Sequence, residues 1–192
     1  IRDREYIEAH GVTVLPLGYT IAGETYGGIE GKQLPPKEFY RLLREGNVCH
    51  TFQVTAEQAK PSVEASFKAG RDVVIVTFSS ALSGTASSFT IAANELMEKY
   101  PARKAFIVDS LGGSLGEGML LEYLVKKADA GASIEEVYAY GDWLRHRIAY
   151  LFTVDDLDCL RRGGRISGAV AVVGKLLKIK PLLHANPKGL LM

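Results

Sequence analysis

The sequence predicts an α/β protein in which helices flank a parallel sheet, followed by the start of a second α/β region. Two observations carry this expectation. Residues 72–78 (DVVIVTF) form a near-continuous β-branched run, the pattern of a strand buried on both faces of a parallel sheet, which should therefore be central. From there strand, loop and helix alternate, as in βαβ units. A third observation ends the pattern: the Gly163-Gly164 pair breaks a short helix, and the architecture changes after it.

The elements follow in order. A charged helical stretch opens the chain, which starts at Ile1 without a methionine and fits a sequence that lacks its front. Residues 12–20 read as a strand, and Gly23, Gly27 and Gly28 favour a hairpin after it. Pro35 and Pro36 precede a helix over 37–45 closed by Gly46. Thr55 with Gln58 three residues on is a capping box for a helix over 56–69, stopped by Gly70. After the 72–78 strand come a helix over 87–99 and a short buried strand at 105–108. A glycine-rich link then leads to a helix reaching 130, and Ser133 with Glu136 caps another that reaches 147. Residues 150–154 read as a further strand and 155–160 begin a short helix. Beyond a mixed apolar stretch over 169–178, Asn186-Pro187-Lys188-Gly189 is the turn of a hairpin whose second strand is cut short.

Composition bounds the function. Of 192 residues 47% are apolar and 23% charged, enough to bury a core, and 23 Lys and Arg balance 22 Asp and Glu to a net +1. That balance lacks the basic footprint of a nucleic-acid partner. No apolar run approaches the roughly 18 residues that span a bilayer, and no basic-then-apolar leader opens the chain, so a cytoplasmic location is expected. Cys49 and Cys159 have neither zinc nor redox spacing and are expected to be buried, reduced thiols.

Ligands of open parallel sheets bind beyond the carboxyl ends of the strands, which makes the loop after DVVIVTF the place to look. There Gly84 permits close backbone approach, Ser83 and Thr85 supply hydroxyls, and the following helix offers free N–H groups to an anion. Simple capping by Ser83 or Thr85 fits the same spacing equally well. As a nucleophile for a hydrolase or acyltransferase, Ser83 lacks a G-x-S-x-G frame and a histidine that the sequence assigns to it as base. His10 and His146 read as structural, His50 as a minor contributor and His184 as a strand residue, with no metal spacing among them. Asp109-Ser110 ends a strand, to line a cleft or to cap the next segment. Arg161 and Arg162 read as surface charge, whereas Arg165 can pair acidic residues of a partner or orient a carboxylate. Neither a Walker loop nor a dinucleotide fingerprint is present, since Gly112-Gly113-x-x-Gly116 has the wrong spacing, and no cofactor is implied.

Taken in order, Thr51-Phe52-Gln53, SSALSGT over 79–85, VDS over 108–110, LRRGGRIS over 160–167 and KIKPLL over 178–183 resemble the DegV family, as does PLGYTIAGETYGG near the amino end. The resemblance implies a DegV-like N-terminal α/β domain over 1–154, lacking the family's usual first strand with its Asp-Ser-Ser segment. Residues 155–192 would begin a truncated C-terminal lipid-binding domain. It implies a non-catalytic carrier that holds a long-chain fatty acid between the domains and presents it to the catalytic subunit of a bacterial fatty acid kinase. Carried over by motif, Thr51 and Ser83 meet the carboxylate, with Gly84 and Thr85 beside them, and Arg165 of the Gly-Arg-Ile motif lies near the head group or the kinase-facing surface. The sequence departs from the family at Phe52, where serine is usual, and at Val54, where proline is usual. It also lacks the later part whose histidine completes the carboxylate contacts.

Overall fold

The computed structural model describes residues 4–28, 31–155, 157–166 and 180–192. After a short helix α1 (Arg4–Ala9), a hairpin joins β1 (Gly18–Ile21) to β2 (Glu24–Gly27). Its two turn residues, Ala22 and Gly23, take φ of +52° and +79°, the twist that a two-residue hairpin loop requires. The strand expected over 12–20 is thus shorter than its apolar run. Pro16 has no N–H to give a ladder, and regular pairing starts two residues after it. Helix α2 (Pro36–Arg44) leads to β3 (His50–Phe52), which pairs antiparallel with β1 and sets Thr51 opposite Tyr19.

The main layer follows. Helix α3 (Ala56–Lys68) starts with the expected capping box, Thr55 Oγ1 accepting from the Gln58 N–H at 3.3 Å and Gln58 Oε1 from the Thr55 N–H at 3.0 Å. Strand β4 (Val73–Thr77), helix α4 (Thr85–Lys99) and strand β5 (Ala105–Asp109) form a parallel βαβ unit in register from Val73–Ala105 to Thr77–Asp109. Helix α5 (Ser114–Asp129) and the box-capped α6 (Ile134–Leu144) come next, and α6 tightens into a 3₁₀ turn at Arg145–Arg147.

Each face of β4 and β5 carries its own apolar cluster. On one side Val63, Phe67, Ala92, Ala93 and Leu96 of α3 and α4 pack with Val73, Ile75 and Ile107. On the other, Leu120, Leu124 and Val137 of α5 and α6 pack with Val74, Val76 and Val108. Alternate side chains of one strand therefore serve both clusters, which is why the β-branched run is continuous. Leu120 is fully buried, and burial of such a side chain stabilises by about 2 kcal/mol.

The strand expected to be central pairs, among the described residues, with β5 alone, and Val73–Val76 are half-buried. The strand expected at 150–154 is correspondingly short. As β6 (Leu151–Phe152) it leaves the parallel alternation and pairs antiparallel with β7 (Leu183–His184). Helix α7 (Asp158–Arg162) lies between them in sequence, and Leu157 and Leu183 form a small core with Phe152, Val154, Leu160 and Ile166. The turn after β7 forms as expected: Asn186 Oδ1 accepts from the N–H groups of Lys188 at 2.9 Å and Leu190 at 3.1 Å, and Gly189 sits at φ +76°. His184 is a strand residue, as expected. The apolar stretch expected over 169–178, Ser167 of the LRRGGRIS segment and Lys178-Ile179 of KIKPLL lie outside the described residues. The two thiols are not both buried: Cys159 on α7 is exposed and Cys49 half-buried, with burial pushing the Cys49 thiol up.

Candidate functional site

The carboxyl ends of β4 and β5 are both followed by polar loops, and they differ in what their polar groups do. After β5, Asp109 turns back on the loop. Its Oδ1 accepts from the N–H groups of Ser80 at 3.1 Å and Leu111 at 3.0 Å, and its Oδ2 accepts from the Ser80 hydroxyl at 2.5 Å. Ser110 is fully buried, donates to Gly112 O at 3.1 Å and accepts from Gly112 N–H at 3.3 Å. The Tyr150 hydroxyl donates to Ser110 O at 2.8 Å, and burial pushes that phenol up to about 12. Asp109-Ser110 therefore ties the loops together.

Ser79, the first hydroxyl after β4, is also buried and structural, donating to Gly189 O at 2.9 Å across 110 residues of sequence. This bond fastens the carboxyl-terminal turn to the strand ends. No side chain fits at Gly189, since a Cβ there would stand 2.2 Å from Ser79 Oγ.

Further along the loop the character changes. Ser83 Oγ and Thr85 Oγ1 are 2.9 Å apart, and Ser83 Oγ accepts from the Thr85 N–H at 3.3 Å. Ser83 thus caps the approach to α4, while Gly84, the residue preceding the helix, offers no side chain of its own to the first turn. Among the described residues Ser83 Oγ hydrogen-bonds with Thr85 Oγ1 and the Thr85 N–H, and no histidine or carboxylate is among these partners.

Two remote segments reach this loop. A Cβ at Gly84 would lie 2.2 Å from Gln53 Oε1, which shows how closely the Gln53 amide covers the glycine, and Gln53 Nε2 donates to Ser88 Oγ on α4 at 3.0 Å. Gln53 stands two residues after Thr51, so β3 delivers the Thr51-Phe52-Gln53 segment to the start of α4. Thr51 is exposed, and the Phe52 ring lies against Gly18, where a Cβ would meet it at 2.0 Å. From the other side Arg165 Nε donates to Leu82 O at 3.1 Å, and its Nη1 bonds to Gly163 O. The guanidinium thus comes from beyond the Gly163-Gly164 turn to the residue preceding Ser83. The contact partner that the sequence reasoning passed over is Gln53, visible only as the third residue of a motif chosen for its threonine.

Together these features define an α/β protein with a hydroxyl- and glycine-bearing loop at a strand end, approached by a hairpin sheet on one side and by an arginine of the carboxyl-terminal region on the other. The chain belongs to the DegV family: the model of that family, described as an uncharacterised protein family, matches residues 2–191. A DegV domain-containing protein of Clostridium perfringens is 43% identical over 157 residues, covering 82% of this chain and 54% of the relative. A Thermus thermophilus structure described as showing fatty acid binding of a DegV family protein superposes with a TM-score of 0.85 at 32% identity. The match covers 99% of this chain and 65% of that one. A stearic acid-binding protein of Eubacterium ventriosum superposes with a TM-score of 0.86 at 26% identity, over 98% of this chain and 64% of the other. The chain spans about half to two thirds of the length of these proteins. No helix among the described residues is long and apolar enough to cross a membrane.

Proposed function

We propose that this chain is a non-catalytic fatty-acid carrier that holds the carboxylate of its ligand at Thr51 and at the Ser83-Gly84-Thr85 loop. The acyl tail lies between the main layer and the carboxyl-terminal region. The observation that carries this reading is the meeting of three remote segments, 51–53, 82–85 and 165, at the start of α4. A helix start with a glycine and two hydroxyls favours an anion, and Arg165 adds positive charge beside it. An acyl tail gains about 0.8 kcal/mol per buried methylene, while a hydroxyl bond to a charged head contributes about 1.5–3 kcal/mol. The tail therefore supplies affinity and the head supplies orientation, leaving the carboxylate in position for the catalytic subunit of a fatty acid kinase in the cytoplasm.

Mass spectrometry of an organic extract of the purified protein tests the reading directly. Long-chain fatty acid should co-purify from the expressing cells, and Ser83→Ala should lower its retention about tenfold or more, in line with the loss of one charged hydrogen bond. A clean absence of fatty acid would overturn the carrier. Labelling of Ser83 by a serine-directed covalent probe would overturn the non-catalytic part.

A further inference from the structure

The chain has two cysteines, Cys49 and Cys159, both free and far apart in sequence. Each belongs to one of the two remote segments that reach the start of α4. Cys49 precedes β3, and an extended strand turns every second side chain to the same face, so Cys49 shares a face with Thr51 and Gln53. That face is turned to α4, because Gln53 Nε2 donates to Ser88 Oγ at 3.0 Å. It is also the face of Tyr19, which stands opposite Thr51 and whose phenol is raised first by burial and next by Cys49.

Cys159 approaches from the other side. It lies on α7, one turn before Gly163, and the Arg165 side chain folds back over that glycine: its Cδ and Nη1 both stand 3.5 Å from where a Cβ of Gly163 would be. The Arg165 N–H bonds to Leu160 O at 2.9 Å, so α7 and Arg165 are held as one piece, and Arg165 Nε fastens that piece to Leu82 O at 3.1 Å. The two cysteines thus flank one stretch, residues 82–88, on segments that each touch it. Their thiols are near enough to sense each other, since Cys159 adds to the upward push that burial exerts on Cys49. Cys159 is exposed and Cys49 half-buried, so a reagent in solution reaches Cys159 first.

We propose that Cys49 and Cys159 form a thiol pair that closes into a disulfide, joining the β3 segment to α7 across the Ser83 loop. The oxidant is a low-molecular-weight disulfide. The Cys159 thiolate attacks one of its sulfurs and expels a small thiolate, leaving a mixed disulfide on Cys159. Cys49 then loses its proton and attacks the Cys159 sulfur, the mixed S–S bond breaks, and a second small thiol leaves. Two protein thiols are oxidised, and the small disulfide is reduced to two thiols. The bond clamps the two segments that bring Thr51 and Arg165 to the loop, so it slows exchange of a bound fatty acid; this consequence alone rests on the carrier reading.

The test incubates the 192-residue chain with oxidised and reduced glutathione at defined ratios, in buffer and in urea, followed by acid quenching and mass spectrometry. In buffer the intact mass should fall by two hydrogens, with a peptide map linking Cys49 to Cys159. Cys49→Ser should instead accumulate glutathione on Cys159, and Cys159→Ser should react at least about tenfold more slowly. In urea the two thiols must close a loop of about 110 residues, so half-oxidation should need a glutathione ratio at least about tenfold more oxidising than in the folded chain. A disulfide requires Cα atoms within about 7 Å, so glutathione on both cysteines without a cross-link overturns the proposal, as do equal half-oxidation ratios in the two states. Bound palmitate should leave the cross-linked protein about tenfold more slowly than the reduced one, and equal rates overturn the clamp. A chain that takes no palmitate overturns the carrier reading, whereas the cross-link is decided by the glutathione measurements alone.

Discussion

The loops after β4 and β5 start from the same chemistry and end in different states. Each leaves the carboxyl end of a parallel strand and is rich in hydroxyls, yet the β5 loop spends its polar groups on structural ties, to itself and to Ser80 at the start of the β4 loop. There Asp109 accepts three hydrogen bonds, Ser110 is fully buried, and Leu111 is held in the left-handed region at φ +57° by an N–H bond to Asp109. Such a backbone is costly for a leucine and persists only where neighbours over-determine it. In the β4 loop the hydroxyls of Ser83 and Thr85 bond to each other, and Gln53 and Arg165, remote in sequence, bond beside them at Ser88 and Leu82. A polar loop at a strand end is thus a structural tie where its polar groups are buried and bonded, as at Ser79, Asp109 and Ser110, and a candidate site where its hydroxyls bond only to their neighbours, as at Ser83 and Thr85.

The largest expected effect separates these roles. Asp109→Ala removes three bonds to a carboxylate and the support of Leu111, a loss of about 4 kcal/mol. In a chain of this size that lowers Tm by about 10 °C. Fatty-acid retention measured well below the melting point should stay at the wild-type level. A retention loss matching that of Ser83→Ala, with Tm unchanged, would show that the roles of the two loops are reversed.

Second in size is Glu117 on α5, the helix that follows the β5 loop. Burial pushes its carboxyl up to about 7, from an ordinary value of 4.5. Because the folded state holds this proton more tightly than the unfolded chain, its contribution is fully present below about pH 4.5. It declines as pH rises to about 7 and is constant above that, a loss of at most about 3 kcal/mol. Glu117→Gln should match the wild type in urea unfolding at pH 4.5 and be more stable at pH 8. Equal midpoints at both pH values would show that the carboxyl is solvated in the folded protein.

Much of this was legible in the sequence. Capping boxes at Thr55 and Ser133 depend on side chains three residues apart, and the Asn186 turn is equally local, so all three were readable. That β4 pairs with β5 alone among the described residues was not, because the run DVVIVTF reports that both faces are covered and says nothing about how many strands lie beside it. The positions of the hydroxyls along the chain likewise did not separate Ser79 and Ser110 from Ser83. What distinguishes them is a partner 110 residues away for Ser79, and a tyrosine 40 residues away on the carbonyl of Ser110. Thr51 entered only through resemblance to a family, and Arg165 as one of three arginines flanking a glycine turn. Their segments reach the Ser83 loop through the Gln53 amide and the Leu82 carbonyl, contacts that no local spacing encodes.

Third, Thr51→Ala tests the open loop's borrowed partner. Thr51 is exposed on β3, so its truncation should change Tm by less than about 1 °C while lowering fatty-acid retention about tenfold. Retention at the wild-type level would confine the carboxylate to the α4 start and remove β3 from the site.

The smallest effect probes the contact that joins the two segments. Gly84→Ala places a methyl where Gln53 Oε1 now lies, so the amide must swing away and release Ser88 Oγ. Because Gln53 is a flexible side chain the fold absorbs the change, at a cost of about 1 kcal/mol or a fall of about 3 °C in Tm. Gln53→Ala removes the same bond and makes room for the methyl. In a double-mutant cycle the two substitutions should therefore be strongly non-additive, with Gly84→Ala nearly silent in the Gln53→Ala background. Additive losses would mean that the glycine is needed for its backbone alone. The approach of the Thr51 segment to α4 would then be a packing accident, and the contrast between the two loops would narrow to the hydrogen bonds of Asp109.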